Sequence, residues 1–356
     1  MRVVAALLCA CVLLPDAAAA ASSVDAAGDL RLMTERFDAW QAAHNRTYAT
    51  ADERRRRFEV YRRNVEHIES TNRRGRLSYR LGENQFADLT GDEFRAAYTM
   101  QMMLPKQVLA ARKAMRRLVG VASNGSSYAD EDAGAVPNSV DWRSKGAVTP
   151  PRSQMSCGSC WAFATVASIE SLYKLKTGRL VPLSEQELVD CDTPPGDHGC
   201  AGGWPGVAME WIARNGGGLA TAEAYPYESR QGRCRRDGAR VGVAGIRGGA
   251  AVARRDEAAL ERAVARQPVT ALINGDGFQF YRGGVFSGAC DARRTNHAVT
   301  VVGYGAEPGP GGRKYWIVKN SWGEGWGEKG YVRMERRVKA KEGMCGIATM
   351  PHYPVM

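Results

Sequence analysis

Gln154-Met155-Ser156-Cys157-Gly158-Ser159-Cys160-Trp161-Ala162-Phe163 is a small-residue turn that delivers a cysteine to the start of a helical run. Val166, Ile169, Leu172, Tyr173 and Leu175 come after it at helical spacing, and Gly178 is a stop signal. A thiol at a helix N-terminus sits among unpaired backbone N–H groups, and the macrodipole there favours negative charge. The position should therefore lower the Cys160 pKa and raise its thiolate fraction. A nucleophile of this kind needs a base, a group that orients the base, and a site for a developing oxyanion.

The chain has 356 residues, enough for more than one folded unit, and its 44% hydrophobic content can fill a sizeable core. The net charge of +11 is scattered. Arg54 to Arg57 share a predicted helix with Glu53 and Glu59, which reads as a solvated face rather than a nucleic-acid surface. Residues 1–22 have the pattern of a secretory signal: Arg2, an apolar run from Val3 to Leu14, then small residues from Ala17 to Ser23. The run is short for a membrane anchor, so a soluble protein of the secretory pathway is expected, in a vacuole or lysosome or outside the cell. Cys9 and Cys11 leave with the signal. Seven cysteines remain, which suggests three disulfides and one free thiol; six paired cysteines allow fifteen arrangements, and the sequence leaves them open.

Residues 23–135 form a segment distinct in composition from the rest of the chain. Glu53, Arg57, Tyr61, Asn64, Ile68 and Asn72 recur at steps of three and four and share one helix face. Gly82 to Asp88 and a short helix through Glu93-Phe94 come next, giving a helical unit over about 35–95. A linker covers 100–135, the kind of place where proteases cut. Asn45-Arg46-Thr47 and Asn124-Gly125-Ser126 are N-glycosylation sequons, so Asn45 and Asn124 are candidate glycan sites. From Val136 to Met356, glycine, aromatics and cysteine become frequent. Ser184 and Glu187 have capping-box spacing, a helix is expected over Glu257 to Arg266, and strands are expected over Val269–Ile273, Val299–Gly303, Tyr315–Val318 and Gly330–Met334. A helical half and then a strand-rich half predict an α+β enzyme with a cleft between them.

His297 stands just ahead of one predicted strand and Asn320 just after another. A thiolate–imidazolium pair with an amide to fix the ring tautomer makes a nucleophile at neutral or acid pH. Cys157-Gly158-Ser159-Cys160-Trp161 matches the signature of papain-like cysteine peptidases, whose histidine and asparagine lie about 130–150 residues downstream. Here the separations are 137 and 160, so the asparagine slightly overshoots. Nearly the whole chain resembles a plant-type papain preproenzyme with an inhibitory propeptide, matched at Glu53, Arg57, Asn64, Ile68 and Asn72 and again at Gly82, Asn84, Phe86 and Asp88; Tyr61 stands where phenylalanine is usual.

The resemblance implies a helical left domain and a β-barrel-like right domain, with Cys160 as nucleophile, His297 as base and then acid, Asn320 as its orienter and Trp322 as a shield. Gln154 is implied as oxyanion donor, and Cys157–Cys200, Cys191–Cys234 and Cys290–Cys345 as disulfides. Gly202 and Gly203 would pair with substrate backbone. Trp204, Pro205, Leu272, Ala298 and Met350 would wall an apolar pocket for the second residue before the cut. Protein and peptide substrates, the chain's own propeptide and cystatin-type inhibitors are the implied partners of a monomer, with no cofactor, metal, nucleic acid or membrane. Processing is expected near Gly134 to Val136, triggered by acid through Asp88 and neighbouring carboxylates.

Met155 stands where the family usually has glycine and Ala201 where asparagine is common. If position 155 is left-handed, a side chain there costs about 1–2 kcal/mol, and a binding-only relative is the rival reading. The C-x-x-C of Cys157 and Cys160 lacks the βαβ context of a redox module. The five histidines do not pair with cysteines at zinc spacing.

Overall fold

The computed structural model describes residues 17–75, 77–100, 136–193, 197–235 and 242–356, with side chains from residue 28 onward. Most of the expected signal, the linker with Asn124 and the expected processing point at Gly134 and Ala135 lie outside these residues. The described residues fall into two units, Met1–Arg63 and Asn64–Met356.

In the first unit, helix α1 (Ala17–Ala43) leads into the start of helix α2 (Ala51–Arg73). Phe37 is buried against Trp40, Tyr48, Phe58 and Tyr61, an aromatic cluster that welds the two helices. Exposed Asn45 lies in the connecting turn with a φ of 49°.

In the second unit, the expected helix face at the end of α2 is used through its polar members. Asn64 donates both amide hydrogens, to the Ala87 and Leu89 carbonyls at 2.8 and 2.9 Å. Asn72 makes a reciprocal pair with Leu81 in strand β1 (Tyr79–Leu81). Helix α3 (Gly91–Tyr98) starts on a full capping box between Thr90 and Glu93.

From Val136 onward the two expected halves are present. Helix α4 (Cys160–Thr177) begins at Cys160 and ends on left-handed Gly178. Helices α5 (Glu185–Cys191) and α6 (Pro205–Arg214) pack with it around Val166, Ile169, Leu188 and Ile212. The Ser184–Glu187 capping box is only half made. Ser184 accepts from the Glu187 N–H, but the Glu187 carboxylate instead accepts from the Ala220 N–H, because tertiary contact offers it a buried donor.

The other half is a nine-stranded sheet. Its strands are β1, β2 (Val140–Asp141), β3 (Gly248–Ala251), β4 (Val269–Ile273), β5 (Tyr281–Phe286), β6 (His297–Ala306), β7 (Lys314–Lys319), β8 (Tyr331–Glu335) and β9 (His352–Val355). The order is β1-β5-β8-β7-β6-β4-β9-β3, with β2 also on β6. Helix α7 (Glu257–Arg266) packs on it, starting at the Asp256 cap and ending before Pro268. Strands β3, β5 and β9 escaped the sequence reading because Gly248, Gly249, Gly283, Gly284 and Pro354 interrupt any apolar alternation.

Disulfides join Cys157–Cys200, Cys191–Cys234 and Cys290–Cys345, and Cys160 is the free cysteine among the described residues. Each closes a loop of 43 to 55 residues. Loop closure of that length contributes about 3–4 kcal/mol per bridge. Among the described residues, no helix is long and apolar enough to cross a membrane and no cluster of His, Cys, Asp or Glu could hold a metal ion.

Asn64 spends both amide hydrogens on carbonyls 23 and 25 residues away. Two such bonds are worth roughly 1 kcal/mol each. Asn64→Ala should therefore let the 64–100 segment open more often, speeding its limited proteolysis at pH 7 on the order of 10-fold. An unchanged cleavage half-life would show that these bonds do not fasten the segment.

Candidate active site

Cys160 is the first residue of α4 and His297 the first residue of β6; β6 lies along α4, so the two meet at the seam between the halves. The Ala298 N–H points at the Cys160 sulfur at 3.4 Å, and the Thr300 hydroxyl donates to the Ala164 carbonyl at 3.2 Å. Asn320 comes directly after β7, the neighbour of β6. Its Oδ1 lies 2.7 Å from His297 Nε2 and also accepts from the Ser321 N–H at 2.8 Å, which fixes which amide atom is oxygen. Nε2 therefore donates, and the neutral ring keeps its lone pair on Nδ1. Nδ1 is buried and has no hydrogen-bond partner. Trp322 stacks on the imidazole with ring centroids 4.6 Å apart.

Gln154 is wholly buried. Its backbone N–H donates to the Ser321 carbonyl at 2.8 Å, its Oε1 accepts from the Ser321 hydroxyl at 2.6 Å, and its Nε2 donates to the Cys157 carbonyl at 2.9 Å. One amide hydrogen stays uncommitted, held in place by the other three bonds.

The remaining sequence candidates also converge here. Leu272 pairs with Ala298 across β4 and β6. Both join a cluster with Cys160, against which Trp204 and Met350 pack. Pro205 is the first residue of α6 and is buried. Gly202 has a φ of 132°, and a Cβ there would come within 3.3 Å of Met100. At Gly203 a Cβ would come within 2.5 Å of Trp161. The backbone angle disfavours a side chain at Gly202, and the packing beneath excludes one at Gly203.

The occupant of the cleft is the chain itself, which the sequence reading did not localise. The Met100 N–H donates to the Asn296 carbonyl at 2.7 Å, and the Met100 side chain lies in the cluster with Leu272 and Ala298. Trp322 Nε1 donates to the Tyr98 carbonyl at 3.1 Å. Phe94 meets the same indole edge-on at 5.0 Å, and the Gln85 amide donates to the Trp322 carbonyl at 2.8 Å. Cys160 and His297 are fully buried beneath this segment.

The burial reverses one expectation. The Cys160 thiol is pushed up to about 12, chiefly by burial, although the N–H groups of Ala298, Trp161 and Cys160 itself pull the other way. His297 is pushed down to about 4 by burial, against the opposing pull of Asn320. With solvent removed, charging either group costs more than the helix terminus returns, so both are neutral in this state.

Behind the site, Glu170 on α4 accepts from Arg152 at 2.6 Å, from the Leu183 N–H at 2.8 Å and from the Thr149 hydroxyl at 2.6 Å. Lys319, next to Asn320, donates to that hydroxyl at 2.8 Å, and Arg152 also pairs with Glu185 at 2.7 Å. Burial pushes Lys319 down to about 8 and Glu185 up to about 7. Sequence reading missed this set and also Ser321, although Ser321 lies within the Lys319-Asn320-Ser321-Trp322-Gly323 run. Their partners are 13 to 170 residues away, and no local pattern reports them.

The Papain family cysteine protease model matches residues 136–355, and the Cathepsin propeptide inhibitor domain (I29) model matches residues 37–94. The chain belongs to the papain family. Fruit bromelain of Ananas comosus is 46% identical over 91% of this chain and 87% of its own length. A senescence-specific cysteine protease of Oryza sativa subsp. indica is 44% identical over 97% and 96%. Among solved structures, recombinant stem bromelain precursor has a TM-score of 0.77 at 42% identity, covering 91% of this chain and 99% of that one. The protein is thus a papain-family cysteine endopeptidase that carries its own inhibitory propeptide.

Within that family frame, the departure at Met155 has a structural cost. Its φ is 52°, the left-handed region, and its side chain is 54% exposed. Its N–H donates to the Ser153 hydroxyl, which in turn contacts its sulfur at 3.4 Å. Left-handed backbone costs a side-chain-bearing residue about 1–2 kcal/mol, and glycine gives back about 0.5–1 in unfolded-state entropy. Met155→Gly should therefore stabilise the protein by about 1 kcal/mol, which raises Tm by about 2–4 °C in a domain of this size. A lower Tm in thermal denaturation would show that the Met155 side chain contributes more than its strain costs.

Proposed function

We propose that the chain is a secreted zymogen whose Cys160 and His297 hydrolyse internal peptide bonds through an acyl-thioester. The observation that carries this reading is the buried His297 ring, bound through Nε2 to Asn320 and carrying an unpartnered Nδ1. In the opened enzyme, Nδ1 takes the Cys160 proton. The thiolate attacks the scissile carbonyl carbon, and the oxygen gains charge facing the free Gln154 amide hydrogen and the Cys160 N–H. Such a donor is worth roughly 3–4 kcal/mol of barrier. The imidazolium then gives its proton to the leaving amine as the C–N bond breaks. Water, deprotonated by Nδ1, attacks the thioester carbon; the acid departs and the thiol is restored. Asn320 keeps the ring in one tautomer, and Trp322 keeps water from their bond.

Gly202 and Gly203 pair with extended substrate by main-chain hydrogen bonds. Trp204, Pro205, Leu272, Ala298 and Met350 form the pocket for the second residue before the cut and select Leu, Val or Phe. Met100 packed on Leu272 and Ala298 supports that preference. Residues 1–22 act as signal, 23–135 as propeptide and 136–356 as the mature, monomeric peptidase, open to cystatin-type inhibitors. Asn45 and Asn124 carry glycans, and the destination is a vacuole, lysosome or the extracellular space.

Acid opens the latent form, and His297 supplies a trigger. Its ordinary value of 6.5 is lowered to about 4 under the propeptide. While Cys160 stays a thiol, the opened state below pH 6.5 binds a proton that the closed state refuses, so closure weakens with falling pH until about 4. The loss is about 1.4 kcal/mol per pH unit, on the order of 3 kcal/mol in all. Processing should therefore speed up from pH 6.5 to 4 and level off below; equal rates at pH 7 and 4.5 would remove the trigger.

The left-handed Met155 favours a second reading, in which catalysis is impaired and only binding remains. Acid-processed protein treated with a thiol-directed epoxide separates the two. Mass spectrometry should find the adduct on Cys160 in a chain beginning near Val136, and Cys160→Ser should lose both adduct and turnover. A processed chain that resists labelling, but accepts the epoxide once Met155→Gly is made, supports the impaired reading instead. A peptide-library profile dominated by Asp, Glu, Lys or Arg at the second position would overturn the proposed pocket.

A further inference from the structure

Ser159 precedes helix α4 in the place of an N-cap, yet its side chain makes no capping bond. Serine there ordinarily accepts from the N–H of the second or third helical residue. Its hydroxyl instead lies 2.7 Å from the phenol oxygen of Tyr227, and that phenol oxygen lies 2.7 Å from the Gln154 carbonyl. A carbonyl can only accept, so the phenol donates to it and receives its own hydrogen bond from Ser159. The other contact of the Ser159 hydroxyl, to the Cys157 carbonyl, is longer at 3.4 Å. Phe163 packs edge-on against the phenol ring at 4.9 Å and fixes its plane. Burial raises the phenol pKa, so Tyr227 stays a neutral donor across the working range of the enzyme.

The consequence lies at the sulfur. The N–H groups of Cys160 and Trp161 pull the Cys160 thiol toward its thiolate, against burial. Trp161 is the second residue of α4, one of the two whose N–H a capping Ser159 would take. We propose that Tyr227 is a positioning residue for both parts of the oxyanion and thiolate site. One hydroxyl anchors the main chain of Gln154, and the same hydroxyl draws Ser159 away from the helix terminus, leaving the Trp161 N–H to the sulfur. The inference rests on the reading of Cys160 as nucleophile and Gln154 as oxyanion donor.

Tyr227→Phe keeps the ring and deletes the hydroxyl. In the acid-processed enzyme kcat should fall on the order of 10-fold, a part of what losing a whole oxyanion donor costs, with KM within about 2-fold. Ser159 is then free to cap, so the midpoint of Cys160 alkylation by iodoacetamide should move up by about one pH unit. In a Gln154→Ala background the kcat loss from Tyr227→Phe should shrink, because part of it acts through Gln154. Ser159→Asn is the second variant: it installs a strong capping acceptor and should move the alkylation midpoint in the same direction. A folded Tyr227→Phe enzyme with wild-type kcat and midpoint overturns the proposal, as does an unchanged midpoint in Ser159→Asn. If Cys160→Ala still turns over peptide, the underlying reading has failed; if it does not, and Tyr227→Phe is silent, only the role of Tyr227 has.

Discussion

The buried carboxylate of Glu170 is the interaction on which the rest of the site depends. It lies in the helix that begins with Cys160 and gathers Arg152, Thr149 and the Leu183 N–H; Thr149 in turn receives Lys319, the residue beside Asn320. Two cations and two anions buried together gain little over an apolar seam, since desolvation offsets much of their attraction. What they supply is register. An ionic set satisfied in one arrangement ties α4 to the end of β7, and the proposed chemistry needs those two elements held to a fraction of an ångström.

The same desolvation governs the latent state. A helix terminus favours a thiolate only while solvent or a charged partner shares the work. Under the segment from Tyr98 to Met100 neither is present, and Cys160 and His297 are both neutral. In the proposed mechanism this pair must ionise, so the segment silences it in two ways: it fills the cleft with Met100, and it takes water away from Cys160 and His297. Phe86 and Phe94 meet Trp322 ring to ring and the Tyr98 carbonyl accepts from its Nε1, so the segment grips the same ring that stacks on His297.

Position 155 illustrates a conflict between local and global requirements. The turn before Cys160 demands left-handed backbone, and methionine meets that demand at a cost. Gln154 is nevertheless fixed by Ser321, Cys157 and Tyr227, and its spare amide hydrogen survives. The strain is absorbed by the turn while the donor geometry is held from outside it.

The sequence by itself determined many of the elements and the candidate chemistry: α4 from Cys160 to its stop at Gly178, the strands around His297 and Asn320, and an odd thiol among seven cysteines. Those features are local, written in spacing, capping and residue type. Helix and strand periodicity also separated the two halves, while β3 and β5, broken by glycine, and β9, broken by Pro354, stayed hidden because they have no alternation to read. Only the tertiary structure decided the rest. Glu187 gave up its capping bond for Ala220, Ser159 gave up its own for Tyr227, and Met100 came to lie against Leu272 and Ala298. It also reversed the expected shift at Cys160. Each of these depends on which groups far apart in the chain lose water together, and desolvation is a property of the packed molecule that no local stretch encodes.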